Sequence, residues 1–184
     1  MDLRVQKTRS SIINAFIQLR SQKPIEKITV TELSNLAMIN KATFYKHYKD
    51  IYDLSESLEN ELIASTLQSI PDLEKCLSDP YELSKGIFHA ILSQSRLLSI
   101  LFSGSRATYL IQQLELQIRE MVFEKHPEYR GNLEKEIQLT YIIQGGFYSF
   151  LKYRQTNDEE TIIDFIIHMA KTIMESSSAT VVPE

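Results

Sequence analysis

The sequence holds one cysteine, five glycines and five prolines in 184 residues, and each scarcity closes a class of structure. Cys76, being alone, forms no internal disulfide and has no second thiol for a metal knuckle, which agrees with a reducing compartment. So few glycines and prolines leave too few turn residues for many short strands, and long helices are favoured. No run approaches the ~18 apolar residues of a membrane span, and residues 1–10 carry no apolar signal core. A soluble cytoplasmic protein with no membrane partner is expected. Catalytic patterns are missing too. The four histidines (His47, His89, His126, His168) are scattered, without HExxH or ExxH spacing, and there is no glycine-rich phosphate loop or GxSxG elbow. Neither an enzyme nor a metal or cofactor is expected.

What is present is a globular balance of 43% hydrophobic and 24% charged residues, in a chain long enough to bury a core without staples. The net charge of −4 conceals a division. Residues 1–50 carry nine Lys/Arg against four acids, and the remaining 134 carry 11 against 20. A small basic head on an acidic body suggests a nucleic-acid-binding module joined to a part that must not bind nucleic acid. The expected division is a head over 1–50 and a body over 51–184.

The apolar spacing predicts an all-α chain. The first helix, over about 4–21, buries Ile12, Ala15, Phe16 and Leu19. Thr29 and Glu32 have the spacing of a capping box, opening a short helix over about 30–37 that buries Val30, Leu33 and Leu36 or Ala37. Asn40 reads as a second N-cap, launching a helix over about 41–47 with Ala42 and Phe44 turned inward. Two short helices separated by a three- or four-residue turn make a helix-turn-helix. Its second helix carries donors suited to DNA. The candidate DNA-binding residues are Thr29, Asn40, Lys41, Thr43, Tyr45, Lys46, His47 and Lys49, the lysines for phosphates and Thr43 for a base edge.

Asp50 caps a helix to about residue 69, and further helices are expected over about 80–94, 105–125, 131–153 and from Asn157 or Asp158 to about 175. The tail after 175 is expected to fray. In the last helix, Ile162, Ile166, Met169 and Ile173 line one face, and Ile163, Ile167, Ala170 and Met174 the next. One face can pack on the body while the other needs a partner. Gly145 and Gly146 disfavour a helix interior by about 1 kcal/mol each unless another helix comes close. A homodimer through a four-helix bundle accounts for both features, with Gly145, Gly146, Tyr153, Ile162, Ile166, Met169 and Ile173 as the interface. His89, Gln94, Tyr109 and Gln113, polar groups among apolar helix faces, are the candidates for orienting a small apolar ligand.

The stretch ITVTELSNLAMINKATFYKHYKDIYDL (28–54) resembles the signature of the tetracycline-repressor (TetR) family of bacterial transcription regulators. The resemblance implies a three-helix DNA-binding head, a helical ligand-binding and dimerising body, and homodimeric binding to a palindromic operator in double-stranded DNA. IIQGGFYSFLKYRQTNDEETIIDFI (142–166) resembles the closing helices of one subgroup. Three positions depart from the family pattern: Met38 stands where glycine is usual in the turn, Asn40 where Ser or Thr caps, and Ile51 where a phosphate-contacting Lys is common. The expected function is a repressor released by a small molecule. The alternative is a ligand-independent adaptor or co-activator that acts by binding another protein.

Overall fold

The structure, a computed structural model, describes residues 3–176, which are helical with no strand among them. The α-helices in chain order are α1 (Leu3–Arg20), α2 (Val30–Leu36), α3 (Lys41–Tyr45), α4 (Ile51–Gln68), α5 (Leu73–Cys76), α6 (Pro80–Ser93), α7 (Ser95–Leu101), α8 (Ala107–Lys125), α9 (Leu133–Tyr153) and α10 (Glu159–Glu175). None is long and apolar enough to cross a membrane.

Helix limits follow local hydrogen bonding. Asp79 accepts the Tyr81 amide proton at 2.9 Å and sets the start of α6, with Pro80 in the first turn, where a missing N–H is harmless. Gly131 turns the chain at φ +78°, and Asn132 caps α9 through the Lys135 amide at 3.2 Å, so the helix begins two residues later than the apolar pattern implied. Asp158, not Asn157, caps α10, accepting from the Thr161 amide and hydroxyl at 2.9 Å each. These bonds hold its carboxyl below the usual range. The apolar run at 97–102 lies in and just after a separate helix, α7. A 3₁₀ turn over Gly104–Arg106 then delays α8 to Ala107. The four-residue α5 has no expected counterpart.

The chain divides into two compact units, Met1–Leu62 with Ser95–Tyr109, and Ile63–Gln94 with Leu110–Glu184. The first therefore takes in more than the expected head over 1–50. Its apolar core joins Ile12 and Phe16 of α1 to Leu33, Phe44 and Leu54, all fully buried. Within this core lies a carboxylate. Glu59 is completely buried, and water cannot stabilise its charge, so it must be paired. Ser55 donates to it at 2.7 Å, and the Arg106 guanidinium clasps it, with Nε 3.0 Å from each oxygen and Nη2 also bonded. Arg106 stacks 4.1 Å over Tyr109, whose hydroxyl donates to Asn60 at 3.3 Å.

A second buried charge works along the same segment. Arg20, only 4% exposed, donates to the Leu101 carbonyl and the Ser103 hydroxyl at 2.9 Å each. Burial lowers the pKa of its guanidinium. Ser105 donates to Glu26 at 2.6 Å. Residues 95–109 thus join the first unit through polar bonds as well as through Leu98, Leu101 and Phe102, which are buried.

In the second unit α10 packs on α6 and α9. Ile163, Ile167 and Ala170 face inward, and Phe88 of α6 meets Phe147 and Phe150 of α9 at ring distances of 5.5 Å. Gly86 lets Ile70 approach so closely that an added Cβ would lie 2.7 Å from its Cγ2. Glu115 ties α8 to α9, accepting from Thr140 at 2.9 Å and Gln144 at 2.6 Å besides Arg119 on its own helix. Burial raises its carboxyl pKa, and the three hydrogen bonds outweigh that and hold it below the usual carboxylate range.

Glu59→Ala removes the partner of Arg106 and is expected to destabilise the chain by about 3–5 kcal/mol in urea unfolding. A loss within the ±0.5 kcal/mol usual for surface sites would contradict this account of the first unit.

Candidate nucleic-acid interface

Two side-chain caps fix the geometry of α2 and α3. The Thr29 hydroxyl accepts the Glu32 amide proton at 3.2 Å, while the Glu32 carboxylate turns to Lys23 rather than back to the Thr29 amide. Asn40 accepts both the amide and the hydroxyl proton of Thr43, at 2.7 and 2.8 Å. The Thr43 hydroxyl is therefore committed as a donor and offers outward only its methyl and a lone pair. Beneath this segment Phe44 is fully buried, Tyr48 and Ile51 nearly so, and Ala37 rather than Leu36 fills the α2 side. Ile51, where the resemblance calls for a phosphate-contacting lysine, is core.

The exposed positions are Lys41, Ala42, Tyr45, Lys46 and Lys49, with Thr43 and His47 half-buried. Lys41, Ala42 and Tyr45 share one side of α3, Lys46 is its C-cap, and Lys49 follows in the turn beyond it. Ala42 was expected inward and instead stands on this outer face, because Phe44 and Tyr48, four apart, take the buried stripe. The helix also closes at Tyr45, two residues early. Tyr45 is 57% exposed and braced edge-on by Phe44 at 5.6 Å.

Charge alone overstates the basic surface. Arg20 is buried, Arg9 pairs with Glu61 and Lys23 with Glu32. Lys41, Lys46 and Lys49 stay exposed on and just after α3, as do Lys7 and Lys27 elsewhere in the unit. Sequence reasoning missed the inward role of Arg20, although Ile12, Phe16 and Arg20 recur at four-residue spacing on the stripe that α1 buries. Ser55, Glu59 and Ile63 give α4 the same signal.

In the second unit the apolar residues of α9 and α10 divide between two environments. Ile162, Ile166 and Ile173 are half-buried, and Met169, Tyr141, Tyr148 and Tyr153 are exposed. A groove of about 90 Å³ between the helices is lined by Tyr141, Gly145, Ile166, Met169 and Ile173. The two glycines differ. A Cβ on Gly146 would meet Ile166 Cγ2 at 3.1 Å, so this residue sets the α9–α10 spacing, whereas a Cβ on Gly145 would meet nothing within 4 Å.

The four candidate ligand residues lie on two helices, His89 and Gln94 on and at the end of α6, and Tyr109 and Gln113 four apart on α8. Tyr109 belongs to the first unit, bonded to Asn60. His89 is exposed, opening with Cys76 and Lys85 on a wide groove; Gln94 closes α6; Gln113 is half-buried on α8. Burial pushes the Cys76 thiol up, away from reactivity. No group of three or more His, Cys, Asp or Glu able to hold a metal occurs among the described residues.

Met38, in the turn before α3, has φ +54° and is 92% exposed. A side chain in that region raises the energy by roughly 1–2 kcal/mol, so Met38→Gly is expected to stabilise the chain by up to about 1 kcal/mol and lift its thermal midpoint by about 2–4 °C. A lowered midpoint would mean that the Met38 side chain has stabilising contacts. Among known proteins, no family model, no curated protein and no solved structure matches this chain.

Proposed function

We propose that the chain is a DNA-binding transcription regulator of the TetR type, a homodimer that represses at a palindromic operator and is released by a small molecule. The observation that carries this reading is the outer side of α3 and the turn after it, where Lys41, Ala42, Tyr45, Lys46 and Lys49 are exposed on a backbone fixed by the Asn40 cap and the buried Phe44. Lysines supply phosphate contacts that fix register; Ala42, the Thr43 methyl and Tyr45 supply apolar and hydroxyl contacts to base edges. As a helix-turn-helix, α2 and α3 would place the α3 N-terminus in a major groove, and a two-fold dimer would meet half-sites one helical turn apart or more.

Self-association is supported by Gly145. Within a helix it disfavours folding, and nothing among the described residues lies within 4 Å of the space above it. A second copy laying its α9 and α10 across this face uses that space and covers Tyr141, Tyr148, Phe165 and Met169, all exposed. A cavity of about 110 Å³ lined by Leu83, Ile87, Ile118 and Leu139 supports a ligand-released repressor over an adaptor that acts through another protein.

Lys46→Ala and Lys49→Ala are expected to weaken binding to all duplexes and to flatten the salt dependence by roughly 0.9 for each phosphate no longer neutralised, hence by about two in a dimer. Thr43→Ala is expected to relax preference at one or two base pairs with the salt slope kept. Fluorescence anisotropy across a salt series measures both. Unchanged slopes in the lysine variants would contradict the assignment of this surface.

A further inference from the structure

The exposed side of α3 lacks the side chains that read bases through paired hydrogen bonds. No arginine or glutamine occurs between Gln22 and Gln68, so the residues that grip guanine and adenine with two parallel bonds are missing from the whole segment. Asn40 stands next to α3, but its carbonyl oxygen already accepts two protons from Thr43. Pairing with adenine needs that oxygen as well as the amide, and Asn40 would have to give up its cap to make it. Asn35 lies on α2, the helix that in a helix-turn-helix crosses the phosphate backbone.

What this side offers instead is apolar. Ala42 is exposed and presents a bare methyl. Thr43 turns its hydroxyl to Asn40, which leaves the methyl as its means of telling bases apart by shape. The Tyr45 ring, 57% exposed, is held edge-on by Phe44 at 5.6 Å. Lys41 precedes these three in the chain, and Lys46 and Lys49 follow them, all exposed. The lysines suit a polyanion, and the apolar tips lie among them. Of the four bases, only thymine carries a methyl group into the major groove.

We propose that α3 selects its site chiefly through thymine C5-methyl groups, met by Ala42, Thr43 and Tyr45. This rests on the reading of α3 as the DNA-contacting helix. The ligand is then a duplex with A·T pairs at the positions under these three side chains, held by the lysines through its phosphates. Burying one methyl corresponds to roughly fourfold in affinity, and a two-fold dimer meets each position twice, which makes about fifteenfold. Each such contact discriminates less than a bidentate pair, so the preference is built from several thymines acting together. The competing reader is Lys41, whose ammonium suits guanine O6 and N7.

Uracil separates the two, because it pairs as thymine does, keeps the O4 acceptor and lacks only the methyl. The full chain is used to select from two pools of random-sequence duplexes, one built with thymine and one with uracil throughout. An A·T-rich motif is expected from the thymine pool and its loss from the uracil pool. In fluorescence anisotropy on the selected duplex, uracil placed at one position of each half-site is expected to weaken binding about fifteenfold where a methyl is met, with the salt slope kept. Thr43→Ser removes the methyl and retains the hydroxyl that bonds Asn40, and is expected to shrink the uracil effect at one position and leave the others. The same motif from both pools, a G·C-rich motif, or a uracil effect below about twofold at every position overturns the methyl reading and leaves DNA binding by α3 standing. A uracil effect that Thr43→Ser changes nowhere overturns the part assigned to Thr43. No motif from the thymine pool overturns the DNA-binding reading, and this inference with it.

Discussion

The buried Glu59 carboxylate is the constraint on which the first unit depends. With no water to stabilise its charge, the chain must supply a fixed cation and further donors, and Arg106 and Ser55 do so from 47 and four residues away. Meeting that requirement brings α7 and the following 3₁₀ turn into the unit that holds α2 and α3. Arg20 then fastens the same segment from the α1 side through Leu101 and Ser103. The helices carrying the exposed lysines are thus held in a core whose completeness depends on residues from the middle of the chain.

That arrangement also decides which positive charges remain exposed. With Arg9, Arg20 and Lys23 paired within the fold, Lys7, Lys27 and the lysines on and after α3 are left exposed. The second unit follows a different logic. One side of α10 fills the space between α6 and α9, and the other side, with Gly145 opposite, stays open. In our proposal these are the two working surfaces of one regulator, the first for DNA and the second for a second copy.

Much of this was legible in the sequence, for physical reasons that differ by element. The all-helical class followed from apolar spacing, and the caps at Thr29, Asn40 and Asp50 were readable because a short polar side chain before an apolar run has few other uses. The apolar pattern of α10 gave two candidate faces, and burial of Ile163, Ile167 and Ala170 shows which one packs within the chain. What escaped depends on contacts distant in sequence. The pairing of Glu59 with Arg106 joins residues that no local pattern connects. Ala42 looked like an inward residue because it is small, yet Phe44 and Tyr48 had already claimed that side. The polar residues picked for a ligand were chosen by composition along each helix, whereas a cavity of about 110 Å³ formed among residues such as Leu83, Ile87, Ile118 and Leu139 that read as ordinary core.

The central claim, sequence-specific DNA recognition by a two-fold dimer, is tested most directly by selecting ligands from a pool of random-sequence duplexes with the purified full chain and sequencing what is retained. The account predicts enrichment of an imperfect palindrome whose half-sites are centred about 34–36 Å apart or somewhat more. Retention of duplexes with no enriched sequence, or no retention at moderate salt, would contradict it.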